Sequence, residues 1–317
     1  MPRIDDSFLE CSIYLYPAQT SAESGERVGG SGLMVAIQSK VFDYKWYVYA
    51  VTNSHVIREG KATFIRINTP GGKFEIVPTT QNNWFHHPNG DDIAACPIGL
   101  PLDKFKYRFV PRSDFLSQER ITQHKIGPGA DVFMVGRFIG HDGRHRNTPS
   151  LRFGNIAMMP LEPLHHQRGH MQESFLVEAR SLPGYSGSPV FVHAPAVGEH
   201  KPDGTLEFIC FGPWLLGLDW CHLHTKEPVR EKGTDDPEIG EGWFVYSNSG
   251  MAGVIPIWKL DELLDIDELR ESRNRTEQQL MEEKARINTN PDITPLSSPT
   301  PDIQTQAPAP EGQPQRA

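Results

Sequence analysis

Residues 181–191 read SLPGYSGSPVF. Two glycines, Gly184 and Gly187, flank Tyr185-Ser186, and a Ser-Pro step leads into the apolar run Val190-Phe191-Val192. A loop that only reverses the chain needs one glycine, with a proline or an Asx residue beside it. This one brackets a hydroxyl with glycines and then enters what reads as a buried strand. Ser186 is either a turn residue or a nucleophile. The choice depends on whether the rest of the chain supplies a base, an acid and a fold that joins them.

The surrounding pattern is β. From residue 8 to about 256, short apolar runs rich in Val, Ile, Phe and Tyr alternate with Gly, Pro, Asn and Asp. FLECSIYLY, SGLMVAI, WYVYAVT, ATFIRI, KFEIV and DIAACPI form one set, and DVFMVGRFI, LRFGNIAMM, SFLVEA, SPVFV, EFICF with WLLGLDW, and GWFVYS with GVIPI form a second. This spacing predicts an all-β protein of two barrels, 8–110 and 128–256, joined by a crossing over 111–127. Residues 257–287 carry Leu260, Leu263, Leu264, Ile266 and Leu269 amid dense charge, which predicts an amphipathic C-terminal helix. Residues 288–317 are Pro, Ser, Gln and Thr with almost no large apolar side chain, a composition that predicts a disordered tail. HTKEPVREKGTDDPEIGE, 224–241, reads as a polar loop.

Composition narrows the function classes. The 317 residues carry a formal charge of −9, the opposite of a nucleic-acid footprint. The four cysteines, Cys11, Cys96, Cys210 and Cys221, show no CxxC pair and make no disulfide scaffold. Asp5 and Asp6 stand where a signal peptide has its apolar core, and no run approaches a membrane span. The expectation is a soluble cytoplasmic protein with no membrane and no nucleic-acid partner.

A serine hydroxyl is a weak nucleophile until a base takes its proton, and histidine is the usual base. Most of the 13 histidines lie in polar stretches, but His55 directly follows the apolar run WYVYAVT. Taken alone, His55 reads first as a core histidine bonded to backbone. Asp92 opens DIAACPI and could cap a turn or could orient an imidazole. Asp91, beside it, is open to either role.

Together, VTNSHVI, DDIAACPI and GYSGSPV, in the order His–Asp–Ser, resemble the trypsin-like (chymotrypsin-fold) serine proteases, and among them the bacterial branch of HtrA and glutamyl-endopeptidase types. The T-x-x-H-V pattern matches Thr52 and His55-Val56, D-I-A matches Asp92-Ile93-Ala94, and G-x-S-G-x-P matches Gly184, Ser186, Gly187 and Pro189. Spacings of 37 residues from His55 to Asp92 and 94 from Asp92 to Ser186 fit one barrel each. An early Gly30-Ser31-Gly32-Leu33-Met34-Val35 strand and PGADVFMVG also resemble that branch. The resemblance covers about residues 8–260. It implies two six-stranded antiparallel barrels, His55 as base, Asp92 as its orienting acid, Ser186 as nucleophile, and the N–H groups of Gly184 and Ser186 as the oxyanion hole. It implies a polypeptide substrate and no metal or organic cofactor.

Departures accompany the match. Tyr185 stands where digestive relatives carry the aspartate that pairs with a freed N-terminus, so other contacts form the loop. Ser188 replaces a family glycine, and no PDZ module fits into 257–317. The specificity pocket is expected near Arg180, Ser181, Asp219, Trp220, Gly250 and Gly253, with His222 close by; Arg180 or His222 would favour an acidic residue and Asp219 a basic one. His141-x3-His145, His165-His166 and Cys221-His222-x-His224 lack a second ligand pair, so no metal is expected. Trp46, Trp214, Trp220, Trp243 and Trp258 are expected in the core, and GRFIGHDGRHRN as a solvated hairpin end. Two functions stay open: a serine endopeptidase, and a trypsin-like fold serving as a binding or sensing module with latent, partner-gated or vestigial proteolysis. A regulatory protein partner would reconcile them.

Overall fold

A computed structural model describes residues 3–26, 28–141, 143–165, 171–194, 197–200, 206–209, 211–229 and 243–289, with side chains described outside 197–200, 206–209 and 287–289. The expected tail from 290 onward lies outside the described residues, as does most of the 224–241 stretch. The protein is predominantly β, with one closed six-stranded barrel and a helical C-terminus. In the barrel, Asp131–Gly136, Ser150–Met158, Phe175–Glu178, Phe244–Pro256, Trp214–Pro228 and Pro189–Val192 pair antiparallel in that cyclic order.

The first half departs from the six-stranded barrel expected. It is an eight-stranded sheet running Phe74–Pro78, Phe64–Asn68, Ser12–Tyr16, Gly30–Gln38, Trp46–Thr52, Ala94–Pro97 and Phe85–His86, with Val110–Pro111 added parallel to Gly30–Gln38. Its hydrogen-bonded path does not close. One edge strand is only Phe85–His86, and Pro88 follows two residues later without an N–H to extend a ladder. Phe8–Cys11, expected as strand, is instead part of a 3-10 turn, Asp6–Cys11.

Its central strands, Ser12–Tyr16, Gly30–Gln38 and Ala94–Pro97 with the second half of Trp46–Thr52, are buried on both faces, which explains their unbroken apolar runs. Leu33, Val35, Tyr49, Val51, Ile93 and Ala95 face a core shared with Val132, Phe133, Val190, Phe191 and Leu218 of the barrel. Their neighbours Met34, Ala50, Ala94 and Cys96 face a second core with Ile13, Leu15, Ile65 and Trp84. Successive side chains of a strand point to opposite faces, so one sequence run fills two cores. Phe8 sits edge-on to both Phe133 and Phe191 at the seam. The two halves therefore share one apolar interior, and the loops at its rim are held in fixed relation.

Two buried arginines reinforce the seam. Arg137, in the segment after a barrel strand, donates to the carbonyls of Glu26 and Val28 and lies 4.2 Å from the Tyr16 ring centre. Arg66, in the first sheet, donates to the carbonyls of Gly143 and Arg144. The 137–147 stretch is thus pinned to the first sheet at its two ends, by Arg137 and by Asn147, which is buried and bonded to Asn68 and Arg66, while Phe138, Gly140, His141, Arg144, His145 and Arg146 between them are exposed at the end of a hairpin, as expected.

The C-terminal helix is two helices, Ile257–Leu264 and Asp267–Thr289. Leu260, Leu263 and Leu264 are buried on the shared core. At the break, Arg112 pairs with Asp261 and Asp265, and Arg273 donates to Tyr49 Oη, to the Leu264 carbonyl and to Asp265. Trp243 is 68% exposed, contrary to its expected place in the core, at the outer end of the long hairpin formed by Trp214–Pro228 and Phe244–Pro256. No helix among the described residues is long and apolar enough to cross a membrane.

Candidate functional site

His55 lies on a single helical turn, Ser54–Arg58, that follows the strand Trp46–Thr52. The turn is stitched to the Asp92 loop at four points. Asn53 Nδ2 donates to the Asp92 carbonyl at 2.9 Å, and Ser54 Oγ donates to the Ile93 carbonyl at 3.0 Å. Asp92 then uses both carboxylate oxygens on His55: Oδ1 accepts the backbone N–H at 2.8 Å, and Oδ2 lies 2.6 Å from Nδ1. A carboxylate can only accept, so this contact places a proton on Nδ1 and leaves Nε2 as the basic nitrogen. The side chains are 29% and 19% exposed, partly screened from water yet open on one side.

Asp92 is itself oriented from the barrel. Its N–H donates to Gln172 Oε1 at 2.9 Å, and Gln172 Nε2 donates to Asp91 Oδ1 at 2.7 Å. Gln172 is buried, and nothing in the sequence marks it, because the contact spans 80 residues. Asp91 belongs to a separate polar cluster. Its carboxylate lies 3.0 Å from His87 Nδ1 and 3.5 Å from Lys259 Nζ, while Glu262 lies 3.1 Å from His87 Nε2. His87, Asp91 and Glu262 are the one group among the described residues spaced for a metal ion. The Lys259 ammonium, also 3.2 Å from Glu173 and 3.8 Å from Glu262, already supplies the cation there.

Ser186, His55 and Asp92 line one cavity of about 360 Å³, together with Arg58, Met171, Ser181, Trp220, Cys221, His222 and His224. The structure thus brings together all three residues singled out in the sequence. Around Ser186 the loop is fully braced: Tyr185 N–H donates to Leu182 O, Gly187 N–H to Asp219 O, and Ser188 N–H to Tyr185 O. Among the described residues none accepts from the N–H of Gly184 or Ser186. Gly184 has φ +97° and Gly187 φ +86°, a region that L side chains rarely adopt. A Cβ on Gly187 would come within 2.2 Å of Ser31 O and 2.3 Å of Thr52 Oγ1. Tyr185 is fully buried, its hydroxyl bonded to Ser150 Oγ and its ring centre 4.8 Å from the Arg152 guanidinium. Apolar burial and that contact hold the loop where an ion pair is absent.

Of the expected specificity residues, Ser181 and Trp220 line the cavity. Trp220 Nε1 donates to Ser174 Oγ at 3.0 Å, which fixes the indole. A Cβ on Gly253 would fall 2.6 Å from Trp220 Nε1 and 2.8 Å from Cys221 Sγ, so this glycine makes room for both. Gly250 sits at φ +81° in open space, and Arg180 is exposed away from the cavity. Asp219 does not line it either: the residue is buried, with Oδ2 accepting from Ser181 Oγ at 2.7 Å and Oδ1 without a hydrogen-bond donor among the described residues. Burial pushes this carboxyl up to about 7 against the smaller opposing pulls of Ser181, His55 and Arg152. Burial likewise pushes the Cys221 thiol up to about 12, so it stays neutral.

No known protein family matches the chain, and no curated protein does. Solved structures similar to it include Deg5, at 15% identity and TM-score 0.41 over 68% of this chain and 81% of that one. The HtrA-type protease AlgW, solved with a decapeptide, is 16% identical at TM-score 0.40, over 75% of this chain and 51% of that one. Rv3671c from M. tuberculosis is 12% identical at TM-score 0.40, over 81% and 86%. Likeness at these scores carries no functional conclusion, and the chemistry rests on the distances above.

Proposed function

We propose that the protein is a serine endopeptidase of the trypsin-like kind, of the HtrA and glutamyl-endopeptidase branch. One observation carries the reading: Asp92 binds both the backbone N–H and Nδ1 of His55, and Ser186 lines the same cavity. A carboxylate–imidazole pair in that tautomer is what a serine hydroxyl needs to become a nucleophile. The N–H groups of Gly184 and Ser186, which have no acceptor among the described residues, support a role as oxyanion donors.

In the reaction, Ser186 Oγ attacks the scissile carbonyl carbon as its proton passes to His55 Nε2. The carbonyl oxygen becomes an oxyanion held by the two N–H groups, each worth about 3–4 kcal/mol of transition-state stabilisation. Asp92 stabilises the imidazolium, which returns the proton to the leaving amine as the C–N bond breaks. Water, losing its proton to Nε2, then attacks the acyl ester and releases the acid and Ser186 Oγ–H. The substrate is a polypeptide, and no step calls for a cofactor.

Intact-mass labelling with a fluorophosphonate tests this. One adduct on the wild type and none on Ser186→Ala is the expected result. A folded wild type that takes up no label overturns the reading.

A further inference from the structure

The Ser186 loop belongs to the barrel half, yet two of its carbonyls are held by a residue of the first sheet. Ser31, on the strand Gly30–Gln38, is fully buried. Its hydroxyl donates to the Gly184 carbonyl at 2.8 Å and accepts the Arg137 N–H at 2.9 Å. Its own N–H donates to the Ser186 carbonyl at 2.9 Å. Its carbonyl accepts from Thr52 Oγ1 at 2.7 Å and stands where a Gly187 side chain would be. The hydroxyl has both a fixed donor and a fixed acceptor, so it has no rotational freedom left.

We propose that Ser31 is a positioning residue for the Ser186 loop: it grips the carbonyls of Gly184 and Ser186, fixing the peptide planes on either side of the Tyr185–Ser186 peptide and so the orientation of the Ser186 N–H that this peptide carries. Gly184, without a Cβ, has the freest backbone in the loop, and the Ser31 hydroxyl is the bond that restrains its carbonyl. Arg137 completes the latch, because its N–H orients the Ser31 hydroxyl while its side chain reaches back to Glu26 and Val28. The catalytic consequence rests on the endopeptidase reading; the restraint of the loop does not.

The test uses the full chain, comparing wild type, Ser31→Ala and Ser39→Ala. Ser39 is another buried serine of the first half, whose hydroxyl bonds Glu277 far from the site, so it controls for general loss of a hydrogen bond. Amide hydrogen exchange is followed at Gly187 and Ser188, together with fluorophosphonate labelling rate and the kcat and KM for a peptide substrate. For Ser31→Ala, exchange at both amides should rise tenfold or more, and the labelling rate and kcat should fall roughly 10–100-fold with KM within twofold. Ser39→Ala should change none of these. Faster exchange in Ser31→Ala beside an unlabelled wild type would sustain the latch and overturn only the endopeptidase reading. Unchanged exchange at Gly187 and Ser188 in a folded Ser31→Ala overturns the latch. Should Ser31→Ala fail to fold, Ser31→Cys keeps the branching, at a slightly larger volume, with a weak donor and should give the same changes in smaller measure; exchange and labelling like the wild type there also overturn it.

Discussion

Replacing Asp92 by Asn removes one charge and alters almost no shape. Asn53, Ser54 and Gln172 bond to backbone atoms of this loop, and those bonds survive the exchange. The Asn oxygen can still accept the His55 N–H that Asp92 Oδ1 accepts at 2.8 Å. Its amide nitrogen then falls where Oδ2 was, 2.6 Å from Nδ1. A donor facing Nδ1 forces the ring into the other tautomer, with its proton on Nε2, the nitrogen that should take the Ser186 proton. The imidazolium also loses its counter-charge. At an effective dielectric near 20, suited to a partly exposed pair, that attraction is about 4 kcal/mol, or roughly 1,000-fold in rate. Adding the tautomer brings the expected loss in labelling rate and kcat to roughly 10,000-fold, with the melting temperature little changed. Fluorophosphonate labelling followed by intact mass, over hours for the variant and seconds for the wild type, covers this range. A folded Asp92→Asn protein that labels within tenfold of the wild type would show that Asp92 does not set the state of His55.

Three further outcomes follow from the geometry. The Asp219 carboxyl sits near 7 in the folded protein against an ordinary 3.8, so its contribution to stability is fully present below 3.8, declines as pH rises, and is gone above about 7. Asp219→Asn should therefore match the wild type in urea melts near pH 3.5 and exceed it by a few kcal/mol at pH 8; a constant difference across pH would refute the assignment. Gly187→Ala should lower the melting temperature far more than Gly184→Ala, because the added carbon meets Ser31 O at 2.2 Å in one case and Ile139 Cβ at 3.1 Å in the other; equal shifts would count against the tight approach at Gly187. Gln172→Leu leaves the Asp92 N–H and Asp91 Oδ1 without their shared partner, and should lower kcat about tenfold while sparing KM, measured with a peptide substrate; a change confined to KM would place Gln172 in substrate binding instead.

What could be read in advance was what is local. The glycines at 184 and 187 announce a loop of unusual backbone, and both have positive φ. The apolar runs announce strands, although a run buried on two faces does not say whether its sheet closes, and the first sheet does not. The polar stretch from His224 to Pro228 reads as a loop, yet it continues a strand paired to Phe244–Asn248, since a two-stranded ribbon open to water needs no apolar face. The break at Asp265 was not anticipated, although Asp265-Ile266-Asp267-Glu268 carries a helix-start pattern; there the Asp265 carboxylate accepts from Arg112, 153 residues away. Asp219 looked like a pocket residue by sequence position, and only its burial shows that it lies beneath Ser181 instead.

Several parts that escaped the sequence share one physical character: they bond across the seam between the two halves. Gln172 of the barrel half holds the N–H of Asp92, which belongs to the first sheet. Ser31 of the first sheet holds the carbonyls of Gly184 and Ser186, which belong to the barrel half. Arg137 and Arg66 cross in opposite directions beside them. Each half thus holds backbone groups of the other's candidate site residues, and the residues lining the cavity come from both halves. Because the same seam is filled by one continuous apolar core, opening it would cost both the packing and the alignment at once. Loss of the site should therefore coincide with loss of the fold, a cooperativity that bonds made within each half could not provide.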